Sequence, residues 1–492
     1  MNRPKSLSVN FFESKGKNFT FLAFSSIPLF WLIFYSLWFP VPHDDDLFFI
    51  GAAINLAEKG DFVNPLLSLW SDRTIDRFYV QPPFHSYVLG FWLKLFGVSS
   101  SSILAFQVFC FFLFSVFLSL LLKKFKFPVF TSLAITLCYG LFMFNFGLRQ
   151  DGLAMIFFTM GLWLLTHKKP LSYFAGFTFL GSSILTLPVN MVLAIPFGIA
   201  LVIEQTVQVK RQQPTQLKRT ITLLSVTWVL AVIFTFSLFL LSVNFELTRF
   251  LDDLSWCASL RRQPLNNVIP AIWNQMRIGS NSVIYGTLYI LLIALQIWVI
   301  KQRKKQPIFL PWFLLISNIS LVTMLIVYSN VLTTNFNFLC WVCVIIILSK
   351  LNIPKKIRVL ITSLAVAIVL INYSPTFLAL FFQDRTIQPS VKIAQDFVRT
   401  HPNMTYSVDA VAARVVFDYN LPEGSVAWEY SGGHIWFFPQ TVADKPPGMV
   451  WILSRKQAWH LPEELPDYPR LPVFGREFKS IAHQPYDVLI VE

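Results

Sequence analysis

The chain has 492 residues, of which 55% are hydrophobic and only 13% charged, against roughly 25% charged in an average soluble protein. Phenylalanine alone accounts for 51 positions, and the formal net charge is +14. This balance argues against a soluble globular enzyme and points to a polytopic, mainly all-α membrane bundle. Five cysteines supply no disulfide framework. Cys340-x-x-Cys343 has the spacing of a redox or zinc pair, but it sits in an apolar segment where two small packing residues explain it.

A basic tail carrying Arg3, Lys5, Lys15 and Lys17 precedes the first apolar run, at about 19–41. The run is too long for a signal-peptide core and no small-residue cleavage site follows it, so it reads as an uncleaved anchor. It ends in Trp38-Phe39-Pro40-Val41-Pro42, and immediately afterwards come His43-Asp44-Asp45-Asp46. Leu47 to Glu58 has helical composition and is closed by Gly60. At about twelve residues it is too short to span, and it is expected to lie in the membrane interface. Tyr79-Val80-Gln81-Pro82-Pro83 forms an extended elbow, and Phe84 to Phe96, interrupted by His85 and Lys94, reads as interfacial or re-entrant.

Further spans are expected near 102–122, 129–147, 152–166, 171–186, 188–204, 221–243, 283–300, 308–328, 332–349 and 359–381, about eleven in all. The positive-inside rule tests this layout. With the N-terminus in the cytoplasm, alternate loops should be basic. They carry Lys123, Lys124 and Lys126; Lys168 and Lys169; Lys210, Arg211, Lys218 and Arg219; Lys301, Arg303, Lys304 and Lys305; and Lys350, Lys355, Lys356 and Arg358. The positive charge is therefore a topology signal and not a nucleic-acid footprint. An odd number of spans places the acidic cluster, the loop 42–101, the loop 244–282 and the tail on the extracytoplasmic side of a plasma (inner) membrane. The domain division is 1–382, a transmembrane unit, and 383–492, a small mixed α/β unit. In the latter, Met449 to Leu453 and Asp487 to Val491 read as strands.

The order Asp45-Asp46, Glu58-Lys59-Gly60-Asp61, Gln81-Pro82-Pro83-Phe84 and Leu95-Phe96-Gly97 resembles the opening of the GT-C-fold membrane glycosyltransferases. The nearest branch holds the protein mannosyltransferases and the lipid A aminoarabinose transferase. Leu148-Arg149-Gln150-Asp151 resembles that family's Arg-x-Asp-type element, and the similarity covers about residues 20–200. In that family the elbow carries a lysine, where this chain has Gln81. The resemblance implies transfer of a sugar from a polyprenyl-phosphate carrier to a lipid, glycan or protein acceptor at the outer face of the bilayer.

Such a reaction needs a base, cationic help for the departing phosphate and a lipid groove. By alignment with the family's acidic pair, Asp45 is the expected base, with Asp46 beside it. Two carboxylates about 6 Å apart at an effective dielectric near 20 repel by about 2–3 kcal/mol, which favours a poised base if the site is buried. Two other readings stand. Asp44 and Asp46 could hold Mg²⁺ or Mn²⁺ as an Asp-x-Asp pair. Alternatively, the acids merely solvate a helix end. Arg149 is the first phosphate candidate, although an Arg149–Asp151 ion pair would also explain it. Arg261 and Arg262 come second, with a lipid-headgroup role as the alternative, and Arg73, Arg77 and Lys94 follow. His85 is either an acceptor-orienting group or a packing residue. The competing class is a transporter or lipid flippase gated by the outer acids, but transporters place ionisable groups near the bilayer midplane.

Overall fold

The computed structural model describes residues 45–124, 148–261, 387–428, 448–454 and 487–491, with isolated positions at 42, 294 and 363. The spans expected at 19–41, at 129–147 and between 283 and 381 lie outside the described residues. What is described is mostly helical, with one small sheet.

Helix α1 (Asp46–Glu58) follows the acidic run. Gly60, with φ of +81°, adopts the left-handed turn that L side chains resist, and its N–H reaches the Leu56 carbonyl. The elbow then leads into α2 (Phe84–Phe96), and Gly97 (φ +84°) leads into α3 (Ser100–Lys124). The bundle continues with α4 (Asp151–Leu165), α5 (Pro170–Thr186), α6 (Met191–Gln212) and α7 (Leu217–Ser242), followed by α8 (Leu247–Arg261). Among the described residues, Ser100–Leu121 and Pro214–Ser242 are long and apolar enough to cross a membrane, and α4 is a shorter apolar helix. Trp228, Leu230, Ile233 and Phe236 of α7 are exposed. An apolar exterior on a helix of that length suits a lipid environment.

Helix α1 differs from the interfacial helix expected from the sequence. Every residue from Asp46 to Asn55 is buried, so it presents no free apolar face. The loop that follows roofs it with aromatic rings: Phe48 meets Trp70 at 5.8 Å and Phe78 at 5.3 Å, both edge-on. Asn64, fully buried, donates from Nδ2 to the Leu47 and Phe48 carbonyls. It fits because Gly51 opposes it; a Cβ there would lie 2.2 Å from the Asn64 Oδ1. Helices α4 and α5 also touch at glycines, since a Cβ on Gly161 would come within 2.9 Å of the Gly176 carbonyl.

Ion pairs tie the roof to α8. Arg73 donates to Asp252 (2.6 Å) and Asp253 (3.0 Å), while Arg249 pairs with Asp76 at 2.5 Å and Arg77 lies 3.7 Å from Glu246. The buried Tyr79 hydroxyl donates to the Val243 carbonyl at 2.9 Å.

The tail carries α9 (Pro389–Thr400), α10 (Ala410–Val415) and a sheet of β1 (Thr405–Val408), β2 (Val426–Ala427), β3 (Met449–Ser454) and β4 (Val488–Val491). The strand order is β2-β1-β3-β4, with β1 parallel to β2 and β3, and β4 antiparallel to β3. Asp409 caps α10 through the Ala412 N–H and also accepts from the Ser454 N–H, pinning helix to sheet. This unit packs against the first part of the chain, β2 lying against the short turn Pro65–Leu67. Lys59 pairs with Glu423 at 2.9 Å, and the Ser100 N–H at the start of α3 donates to Asp418 at 2.8 Å.

Candidate active site

Asp45 sits at the N-cap of α1 and Asp46 in its first turn, while Gln150 is the N-cap of α4 with Asp151 in its first turn. The fold brings these two helix starts together. Arg149 Nη1 donates to Asp45 Oδ2 at 2.7 Å, and its Nε donates to Asp151 Oδ2 at 3.1 Å. The side chains of Arg149, Asp45 and Asp151 are 21%, 15% and 2% exposed, so this is a sheltered pair of contacts and not a solvated surface bridge. Asp46, fully buried, accepts the Leu148 N–H at 2.7 Å. The guanidinium also lies over the Phe49 ring, 5.0 Å from its centroid.

Electrostatically, three carboxylates meet one guanidinium at two helix N-termini. The positive ends of the helix dipoles favour the acids. Burial works against the charge of Arg149, but Asp151 and Asp45 outweigh it and hold the guanidinium above its ordinary pKa. The expected carboxylate repulsion is therefore set beside a cation 2.7 Å from Asp45. Both contacts of Arg149 exist: the ion pair with Asp151 and the reach to Asp45, which is 104 positions away. Its Nη2 makes no hydrogen bond among the described residues, leaving a donor face for an incoming oxyanion.

The other expected residues fall elsewhere. Asp44 and Arg262 lie outside the described residues, and Arg261 is the last residue of α8. Among the described residues no group of three His, Cys, Asp or Glu side chains could hold a metal ion. Arg73 and Arg77 serve the roof-to-α8 ion pairs, and Lys94 is exposed on α2. Gln81 in the elbow and His85 in the first turn of α2 are buried, 4% and 2% exposed. The Gln81 amide and His85 Nδ1 have no hydrogen-bond partner among the described residues. Burial pulls the His85 pKa down to about 4, so the imidazole is neutral.

Two contributors lie outside the motifs read from the sequence, Phe49 under the guanidinium and Asn64 bracing the first turn of α1, and a third, the Leu148 N–H on Asp46, belongs to the Arg-x-Asp element but acts through its backbone. Only Asn64 carries a sequence signal, as a polar residue between Gly60-Asp61 and an apolar Pro65-Leu66-Leu67 run. An apolar cavity of about 610 Å³ lies apart from the cluster, between α5, α6 and α7, lined by Leu180, Ile184, Ile199 and Trp228 among others. No family model, curated protein or solved structure matches this chain.

Proposed function

We propose that the chain is a multi-pass membrane glycosyltransferase of GT-C type with about eleven spans. It would move a sugar from a polyprenyl-phosphate carrier to a lipid, glycan or protein acceptor on the extracytoplasmic face. The observation that carries this reading is the Asp45–Arg149 contact of 2.7 Å, which joins the acid pair to the Arg-x-Asp element. Motif order alone singles out both.

In this reading the two groups have complementary tasks. Asp45 takes the proton of the acceptor hydroxyl or amine as that atom attacks the anomeric carbon. The bond from that carbon to the carrier phosphate breaks, and its electron pair leaves with the phosphate. Arg149 offers its Nη2 face to the developing charge while its Nε stays on Asp151. Asp46, bonded to the Leu148 N–H, fixes the distance between the two helix starts. The apolar cavity between α5, α6 and α7 is of a kind that takes a lipid tail.

The test is sugar transfer by purified protein from a polyprenyl-phosphate donor panel, comparing wild type with Asp45→Asn. Loss of about 10²-fold or more in turnover, with donor binding retained, is expected for removal of a general base. Full activity of Asp45→Asn would remove Asp45 from that role. A wild type inert with every donor would shift weight to a transporter.

A further inference from the structure

Buried polar atoms are nearly always paired, so a cluster of unpaired ones calls for an explanation. The elbow and its surroundings hold such a cluster. Between residues 81 and 86, Gln81 Nε2 and Oε1, His85 Nδ1 and Ser86 Oγ have no partner among the described residues, and the three residues are 4%, 2% and 0% exposed.

The chemistry of this set is uniform. An amide, a hydroxyl and a neutral imidazole each both donate and accept, and none carries charge. Helix α2 begins at the same place. Pro83 is its N-cap and no side chain caps it, so peptide N–H groups add donors. A phosphate would need a cation here, and none of these side chains supplies one. Burial keeps His85 from supplying the charge.

We infer that Gln81, His85 and Ser86 form a subsite for the uncharged hydroxyl groups of a sugar, distinct from the phosphate contact at Arg149. This rests on the transferase reading and adds to it a division of labour. The Arg149 cluster takes the charged part of the donor, and the elbow takes its neutral part and so chooses between sugars. Polar sites of this kind reject ligands that lack the matching hydroxyl, because the site's own groups are then left unpaired.

The experiment measures binding of four probes to the full chain in detergent: bare farnesyl phosphate, and farnesyl phosphate carrying glucose, mannose or arabinose. Wild type should bind at least one glycosylated probe more tightly than the bare one. Gln81→Leu and Ser86→Ala should each reduce that preference by roughly tenfold while leaving bare farnesyl phosphate unchanged. Gln81→Asn, which keeps an amide, should retain part of the preference and covers the case in which leucine prevents folding. Equal weakening of bare and glycosylated probes would make the elbow a phosphate contact and overturn the inference. Unchanged binding in every variant would assign these atoms to trapped water and overturn it as well. Wild type that binds the bare carrier without discrimination sinks the sugar subsite alone. Wild type that binds none of the probes sinks the transferase reading with it.

Discussion

Helices α1 and α2 are each thirteen residues long, both apolar, and packed against one another, yet their fates differ. Helix α1 is enclosed over its first ten residues and carries Asp46 into the interior. Helix α2 buries His85, Ser86, Leu89, Gly90 and Leu93 but exposes Phe91, Leu95 and Phe96. The difference does not lie in their own composition. It comes from what covers them: α1 has the aromatic roof and Asn64, whereas the outward face of α2 has nothing over it among the described residues. One helix therefore holds charge in a sheltered place, and the other offers a greasy surface suited to a lipid interface.

The sharpest way to break this contrast is to remove the cation that makes the buried end of α1 tolerable. Arg149→Ala leaves Asp45 and Asp151 without their shared partner, and a loss of about 3–5 kcal/mol is expected. The check is thermal unfolding in detergent, with Arg149→Lys expected to fall between the two because it cannot reproduce the two-point contact. A change no larger than that of a surface substitution would mean that the cluster is solvated after all.

The inward face of α2 can be probed with pH. The native pKa of His85, about 4, lies below its unfolded value near 6.5. Between these values the unfolded chain binds a proton that the native state refuses. Stability from this group is therefore intact above about pH 6.5 and falls as the pH drops toward 4. Its share of the loss between pH 7 and pH 5 should be about 2 kcal/mol. Unfolding curves of wild type and His85→Asn at the two pH values isolate that share as the difference between them.

The smallest effect belongs to the outward face of α2. Phe91→Ser should change stability by no more than about 0.5 kcal/mol, since it removes a side chain already exposed. The same change should weaken retention of the protein on lipid vesicles or its detergent binding. A large loss of stability there would show that this face is covered by protein.

Much of the local architecture is legible in the sequence. Gly60 ends α1 because a left-handed turn needs a residue without Cβ, and the two prolines of the elbow set the start of α2. The strands at 449–454 and 488–491 fall on the β-branched and aromatic runs that mark them. The site is legible as two separate motifs. Their union is not, because no periodicity reports that residues 45 and 149 share an ion pair. The roles of Arg73 and Arg77 are equally hidden, since a sequence shows where cations are but not which acids the fold places opposite them.

The sequence by itself determined the apolar character of the helices, their ends, and the presence of acids at the start of α1 and α4. These depend on local chemistry: side-chain volume, backbone freedom and charge along a few residues. Only the tertiary structure decided that α1 is swallowed, that Arg149 bridges two helix starts, and that the elbow's polar atoms are buried without partners among the described residues. Those outcomes depend on long-range packing, in which Asn64 reaching over Gly51 and Phe78 over Phe48 close a roof that no single segment encodes.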